Sequence, residues 1–200
     1  APLTAEGKEA FERNVPGVGP RAGDPTKRKN NDPMNNCDPM GVPRILNVEL
    51  IEPHNTMEII QLPGKVVELF EWHHEWREVF TDGRPLPKLE DVEPKWNGDS
   101  VGRWDGDTFV VNSVGFDERS WVDKFGYPHT DEMRLEERYR RVDADTLELT
   151  MTITDPQYYS VPWPSDRKIF KRNRDKAKEW DEQAFCVPSV ESRFNDLSRD

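Results

Sequence analysis

The chain is short of cysteine, of apolar residues and of positive charge, and it contains no long hydrophobic run. Its 28 Lys and Arg stand against 39 Asp and Glu, a formal net charge of −11 over 200 residues. A surface of that sign is repelled by phosphate backbones, which argues against general nucleic-acid binding. No apolar stretch approaches the ~18 residues of a membrane-spanning helix, so a soluble protein is expected. Hydrophobic residues make up only 34%, yet aromatics reach 10%, with 7 Trp, 9 Phe and 4 Tyr. Disordered chains are poor in aromatics, so this one is expected to fold, as one domain with arms. The two cysteines, Cys37 and Cys186, lie near opposite ends of the expected folded region, with no CxxC pair. A disulfide between them would staple both arms to the core, as suits an oxidising compartment; two buried free thiols are the alternative. The chain begins Ala1-Pro2-Leu3 without an initiator Met, as it would after signal-peptide removal, although a trimmed chain begins the same way. A secreted or periplasmic protein is expected.

What is present is a β-rich pattern. Residues 1–43 read as an arm: a short helix with Thr4 as N-cap, then a stretch rich in Pro, Gly and Asn without periodicity. Within it, Gly17-Val18-Gly19-Pro20-Arg21-Ala22 has the outline of a dinucleotide fingerprint, but no strand precedes it and Pro20 removes an amide that a phosphate would need. From Arg44 onward short runs of Val, Ile, Phe, Trp and Thr alternate with turn residues. Strands are expected at 44–50, 56–62, 65–72, 75–81, 100–105, 107–114, 132–142, 145–154 and 166–172. Pro63-Gly64 and Asp105-Gly106 mark hairpins. Without helices long enough for parallel crossovers, the expected fold is all-β: an antiparallel up-and-down barrel of eight or nine strands, lipocalin- or calycin-like, spanning 44–186. A flattened sandwich is the second choice. Residues 187–200 read as a short C-terminal helix, with Val190, Phe194 and Leu197 at helical spacing. The loops 81–98 and 116–131 are long enough to line a mouth.

Side chains alternate along a strand, so parity shows which polar residues share a face with apolar ones. Leu147, Leu149, Met151 and Ile153 share a parity that brings Asp155 inward at the strand end. Met133, Leu135, Glu137 and Tyr139 share another, which turns Glu137 inward. If 66–80 is one continuous strand, His74 lies on one face between Trp72 and Trp76; a turn at His73-His74-Glu75 would break this parity. His74 and His129, with Glu137 and Asp155, therefore form a candidate acid–base set in which a buried carboxyl is driven toward neutrality beside an imidazole. Arg77 or Arg84 would stabilise an anion. The plainer reading pairs Glu137 with Arg77, Arg103 or Arg141 as a buried ion pair without chemistry. Trp72, Trp76, Trp104, Tyr139 and Trp163, with Arg84, are the candidate substrate-binding residues, since flat apolar rings stack on sugars and aromatic ligands.

Other patterns fail on context. Gly98-Asp99-Ser100-Val101-Gly102 has the form of a hydrolase nucleophile elbow, but a hairpin follows Ser100 where the elbow needs a helix. The four histidines, His54, His73, His74 and His129, show no HxH or HExxH spacing, and no metal is expected. The basic residues from Arg167 to Lys178 are offset by Asp166 and Asp175 and read as a solvated face.

Asn36-Cys37-Asp38-Pro39-Met40-Gly41-Val42-Pro43-Arg44, Asp82-Gly83-Arg84-Pro85, the run from Trp96 to Thr108, Glu137-Arg138-Tyr139, Asp155-Pro156 and Pro162-Trp163 together resemble a family of exported proteins of soil bacteria such as acidobacteria. The likeness covers roughly residues 2–195. It implies export, a β-rich domain and pairing of Cys37 with Cys186, and it brings no reaction and no catalytic residue. The expected function is that of a cofactor-independent enzyme of hydrolase, lyase or isomerase type, acting on a small apolar, aromatic or glycosidic substrate in an aromatic-lined pocket. The alternatives are a lipocalin-like binding protein and, third, an assembly module marked by an exposed apolar patch around Trp121 or Trp163. A monomer or homodimer is expected.

Overall fold

The computed structural model describes residues 1–17, 19–22, 30–47 and 56–175, together with Trp180 and Cys186. The expected helix at 187–200 and His54 lie outside the described residues. Helix α1 (Ala5–Arg13) starts where Thr4 was expected to cap it, the Thr4 hydroxyl accepting the Gly7 N–H at 3.0 Å. Gly7 allows the helix to lie on the chain at Tyr158, whose carbonyl oxygen would stand 2.2 Å from any Cβ there.

Nine strands follow: β1 (Met57–Leu62), β2 (Lys65–Phe70), β3 (Trp76–Phe80), β4 (Asp99–Asp105), β5 (Thr108–Val114), β6 (Arg134–Arg141), β7 (Thr146–Thr154), β8 (Trp163–Pro164) and β9 (Lys168–Lys171). They form one sheet in sequential order from β1 to β8, with β9 also paired to β7. The two expected hairpins are present. Leu62 pairs with Lys65 across Pro63-Gly64, and Asp105 with Thr108 across Gly106-Asp107, where Gly106 takes the positive φ of 62° that a two-residue hairpin demands.

Three expectations are corrected. The sheet is mostly but not wholly antiparallel: β3 and β4 run parallel, Val79 opposite Ser100, because the long 81–98 connection carries the chain back to the end from which β3 started. Nor does it close into a barrel; among the described residues β1 pairs only with β2, and β8 and β9 only with β7. Residues 44–46 form a 3-10 turn instead of a strand. Gly41 to Leu46 are buried consecutively, without the alternation a half-buried strand requires.

That buried segment explains the open sheet. Met40, Val42, Ile45 and Leu46 belong to the same apolar core as Val66, Phe70, Val79, Phe109, Leu135 and Leu149, so the arm covers the inner face that strand closure would otherwise cover. Arg44 braces this segment internally, its guanidinium meeting the Asp32 carboxylate with two hydrogen bonds of 2.8 and 2.6 Å. The Cys37–Cys186 disulfide joins the arm to the far end of the chain. The sheet is strongly curved. Three strand spacings of about 4.8 Å would put β3 and β6 about 14 Å apart if flat, yet Arg77 of β3 donates to Glu137 of β6 at 2.9 Å across the concave face.

Candidate functional site

The concave face holds charge. Cross-strand registry places Glu68 opposite Arg77 and Val111 opposite Glu137, and all point inward. Arg77 donates through Nε to Glu68 Oε2 at 2.6 Å and through Nη1 to Glu137 Oε1 at 2.9 Å, while Nη2 meets Glu137 Oε2. Tyr139 completes the group by donating its hydroxyl to Glu137 Oε2 at 2.7 Å. Glu68, Arg77, Glu137 and Tyr139 are 1%, 4%, 0% and 4% exposed, which rules out direct access from solvent. Burial raises the Glu68 carboxyl above its ordinary range; Arg77 opposes this and the Glu137 charge adds to it. Burial also works against the charge on Arg77, but the carboxylates of Glu137 and Glu68 outweigh it and hold the guanidinium charged well above its usual range. Burial, then Glu137, keeps the Tyr139 phenol protonated. None of the four has a buried polar side-chain atom without a partner. Of the expected residues, Arg77, Glu137 and Tyr139 are thus brought together, and Glu68 joins them unforeseen.

His74 is not among them. Trp72–His74 form a tight turn, with His73 and His74 both at positive φ, 58° and 50°. The turn places Phe70 on the inner face and then Arg77 and Val79, so the parity assumed for one continuous strand is reversed along β3. His74 is exposed at the turn, Trp76 points outward at 58% exposure, and Trp72 packs half-buried against the core. Trp104 is 57% exposed, with its ring 5.2 Å from that of Phe109 at the open end of the inner face. Arg84 is exposed, paired with Asp82 at 2.6 Å and lying over the Phe80 ring. Ser100 is buried and bonded to Ser113 at 2.8 Å, so the elbow-like pattern is a strand-to-strand hydroxyl pair.

His129 and Asp155 meet elsewhere, through Thr130. Asp155 accepts from the Thr130 N–H at 2.7 Å and from its hydroxyl at 3.1 Å. His129 Nδ1 lies 2.9 Å from the Thr130 carbonyl, which can only accept, so Nδ1 carries the hydrogen and Nε2 accepts from the Ser120 hydroxyl at 2.7 Å. Burial lowers the His129 pKa and keeps the ring neutral, in keeping with that tautomer. Ser120 and His129 are each 2% exposed. This is a serine–imidazole pair enclosed by protein. Among the described residues, no group of three or more His, Cys, Asp or Glu is placed to hold a metal ion.

An open cleft of about 360 Å³ lies at the β7–β8 edge, beneath loop residues 122–127. Its floor is Met151 and Ile153 from the concave face of β7. Its walls are Trp163, Tyr127, Phe125 and Val122, and Pro43 at the end of the arm and Asn47 beyond it also line it. Trp163 is the expected binding residue that lines it. The Trp163 ring centroid lies 4.9 Å from Tyr127 and 5.3 Å from Tyr159, so the wall is a packed aromatic cluster. The loop is held from several sides. The Val122 N–H donates to the Tyr127 carbonyl at 2.8 Å, Asp123 Oδ1 accepts from Phe125 and Tyr127 amides at 2.9 and 3.3 Å, and Asn14 beyond α1 donates to the Gly126 carbonyl at 2.9 Å. Burial raises the Asp123 pKa, although these amides and Arg44 pull it down. The expectation that loop 116–131 lines a mouth pointed to this region; the two-residue strand β8 was missed, because Pro162 and Pro164 flank Trp163 and prolines demote a run as strand.

The chain matches no protein-family model, no curated protein and no solved structure.

Proposed function

We propose that this protein binds a small apolar or aromatic molecule in the cleft beneath loop residues 122–127, as a non-catalytic, exported binding protein. The observation that carries the reading is a contrast: the cleft is open and lined by Trp163, Tyr127, Phe125, Met151 and Ile153, whereas Glu68, Arg77 and Glu137, and likewise Ser120, His129 and Asp155, are enclosed and hydrogen-bonded within the protein. At about 360 Å³ the cleft sits at the small end of the range for ligand pockets, and its hydrogen-bonded loop holds it in shape before any ligand arrives. The curved, open sheet supports a calyx-like comparison with one side wall replaced by the N-terminal arm. The Cys37–Cys186 disulfide and the resemblance to exported soil-bacterial proteins support export.

An acid–base enzyme is the second reading, favoured by the Ser120–His129 hydrogen bond. It ranks lower because a base must come within hydrogen-bond reach of the proton it takes, and both residues are covered. Calorimetric titration with 2-naphthylmethanol, a flat neutral probe, tests the binding reading. Saturable binding is expected, weakened at least tenfold in Trp163→Ala that retains the native circular dichroism. No binding, or binding indifferent to that substitution, would refute the assignment of the cleft. Covalent labelling of Ser120 by a fluorophosphonate in the native protein would restore the enzymatic reading.

A further inference from the structure

Two cations line the cleft and they are placed differently: Lys124 belongs to the loop, its Nζ 5.4 Å from the Phe125 ring, whereas Lys168 belongs to the sheet. Lys168 sits on β9 opposite Leu149, a registry that turns its side chain to the concave face, and it lines the cleft together with Met151, Ile153 and Trp163. Its side chain is only 14% exposed. A lysine stem covered to this degree confines its ammonium to the neighbourhood of the cleft wall, where a counter-charge is its natural partner. What it has is Asp166, whose carboxylate stands 3.4 Å away and is itself 90% exposed. A pair of that length, with one member in solvent, contributes little. The other acid of the cleft is committed elsewhere: Asp123 accepts from two amides of its own loop.

From this placement we infer that the ligand is an aromatic acid, its ring against Trp163 and its carboxylate on the Lys168 ammonium. The inference rests on the reading of the cleft as a ligand site. A carboxylate there would replace a long, solvent-diluted contact with a charge-assisted hydrogen bond in a site that excludes water, the setting in which such bonds count most. An amine is the less suitable ligand, because Asp166 already lies in bulk water and Asp123 is turned to its own backbone. The net charge of −11 opposes the approach of an anion, but over a Debye length of about 8 Å at physiological salt only the local charges are felt. The charged lining consists of Asp123, Lys124, Asp166 and Lys168, which balance.

The experiment compares two probes of the same ring, 2-naphthoate and 2-naphthylmethanol, titrated calorimetrically into the protein at pH 7.5 and 0.15 M salt. Naphthoate is expected to bind roughly tenfold more tightly, the value of one hydrogen bond to a charged group. Lys168→Met, which keeps the apolar stem, is expected to bring the ratio of the two affinities to one or below, and Lys168→Arg to preserve a preference for the acid. Equal binding of both probes, or a preference for naphthoate that survives Lys168→Met, would overturn the inference while leaving the cleft as a site for neutral ligands. Failure of both probes to bind would remove the cleft reading and the inference with it.

Discussion

Glu75 offers a direct measurement of what burial costs in this fold. It lies at the end of the β2–β3 turn, where Oε1 accepts the Met40 N–H at 3.1 Å and so ties the turn to the arm. Its other oxygen, Oε2, and Asn97 Oδ1 are both buried without a hydrogen-bond partner. Burial pushes the Glu75 carboxyl up to about 7, against the pull of the Met40 and Gly41 amides. The ordinary value is 4.5, so the folded state holds this proton more tightly than the unfolded chain does. Between about 4.5 and 7 the folded protein therefore carries more protons at this site, and the stability it contributes falls as pH rises through that window, then levels off. A difference of about 2.5 units corresponds to about 3 kcal/mol. Glu75→Gln removes the ionisation and keeps an acceptor for the Met40 N–H. The variant is expected to match the parent near pH 4.5 and to exceed it by up to ~3 kcal/mol at pH 8. Urea unfolding of both proteins at the two pH values, under non-reducing conditions, gives the difference, and subtraction cancels every other titrating group. A variant less stable than its parent at pH 8, or a difference that does not change with pH, would refute the placement of this carboxyl.

Two further outcomes follow from the buried charges and the disulfide. Arg77→Met leaves Glu68 and Glu137 facing each other without a cation and should cost about 3–5 kcal/mol, whereas Glu68→Gln imitates the protonated acid that burial favours and should cost about 1 kcal/mol or less; the ranking is read from denaturation midpoints at pH 7, and the reverse order would contradict the charge distribution of the network. Replacing both Cys37 and Cys186 with Ser opens a loop of sequence separation 149, which chain entropy values at about 5 kcal/mol. A thermal midpoint unchanged by that double substitution would show that the bond does not restrain the unfolded chain.

Much of the sheet is legible because its strands are amphipathic. The alternation of Leu147, Leu149, Met151 and Ile153 locates β7, and Asp105-Gly106 locates a hairpin, without any tertiary information. Glu137 and Asp155 also emerge as buried acids from parity alone, and both are. The arm is opaque for the opposite reason. Met40, Val42, Ile45 and Leu46 follow no period, because an irregular segment pressed between loops and sheet is buried on all sides. The cleft is opaque too, since its loop and its two-residue strand β8 are shaped by hydrogen bonds among distant residues, such as Asn47 to the Val122 carbonyl at 3.2 Å. Trp163 was visible as an aromatic; that it would stand beside Lys168 was not.

The β2–β3 turn is where one local uncertainty reversed a face, and it yields the sharpest structural test. No Gly, Asn or Pro marks residues 71–75, and two successive histidines take up the left-handed conformation that those signals usually announce. Because side chains alternate with period two, the number of residues in the turn decides whether Arg77 or Trp76 faces the concave side. With the present length, Arg77 enters between Glu68 and Glu137 while Trp76 stays in solvent. Deleting His74 would shift β3 by one residue. Either the strand keeps its hydrogen-bond register and turns Trp76, Glu78 and Phe80 inward, leaving two buried carboxylates beside a third, or the registry slips to restore Arg77 and breaks the ladder to β4 at Val79 and Ser100. Both routes cost several kcal/mol by the loss of a buried ion pair or of packed strand contacts. The expected result is a protein without a cooperative unfolding transition at 25 °C. If the deletion instead folds with near-parental stability, turn length does not set the inner face of β3, and the Glu68–Arg77–Glu137 network is not what selects its register.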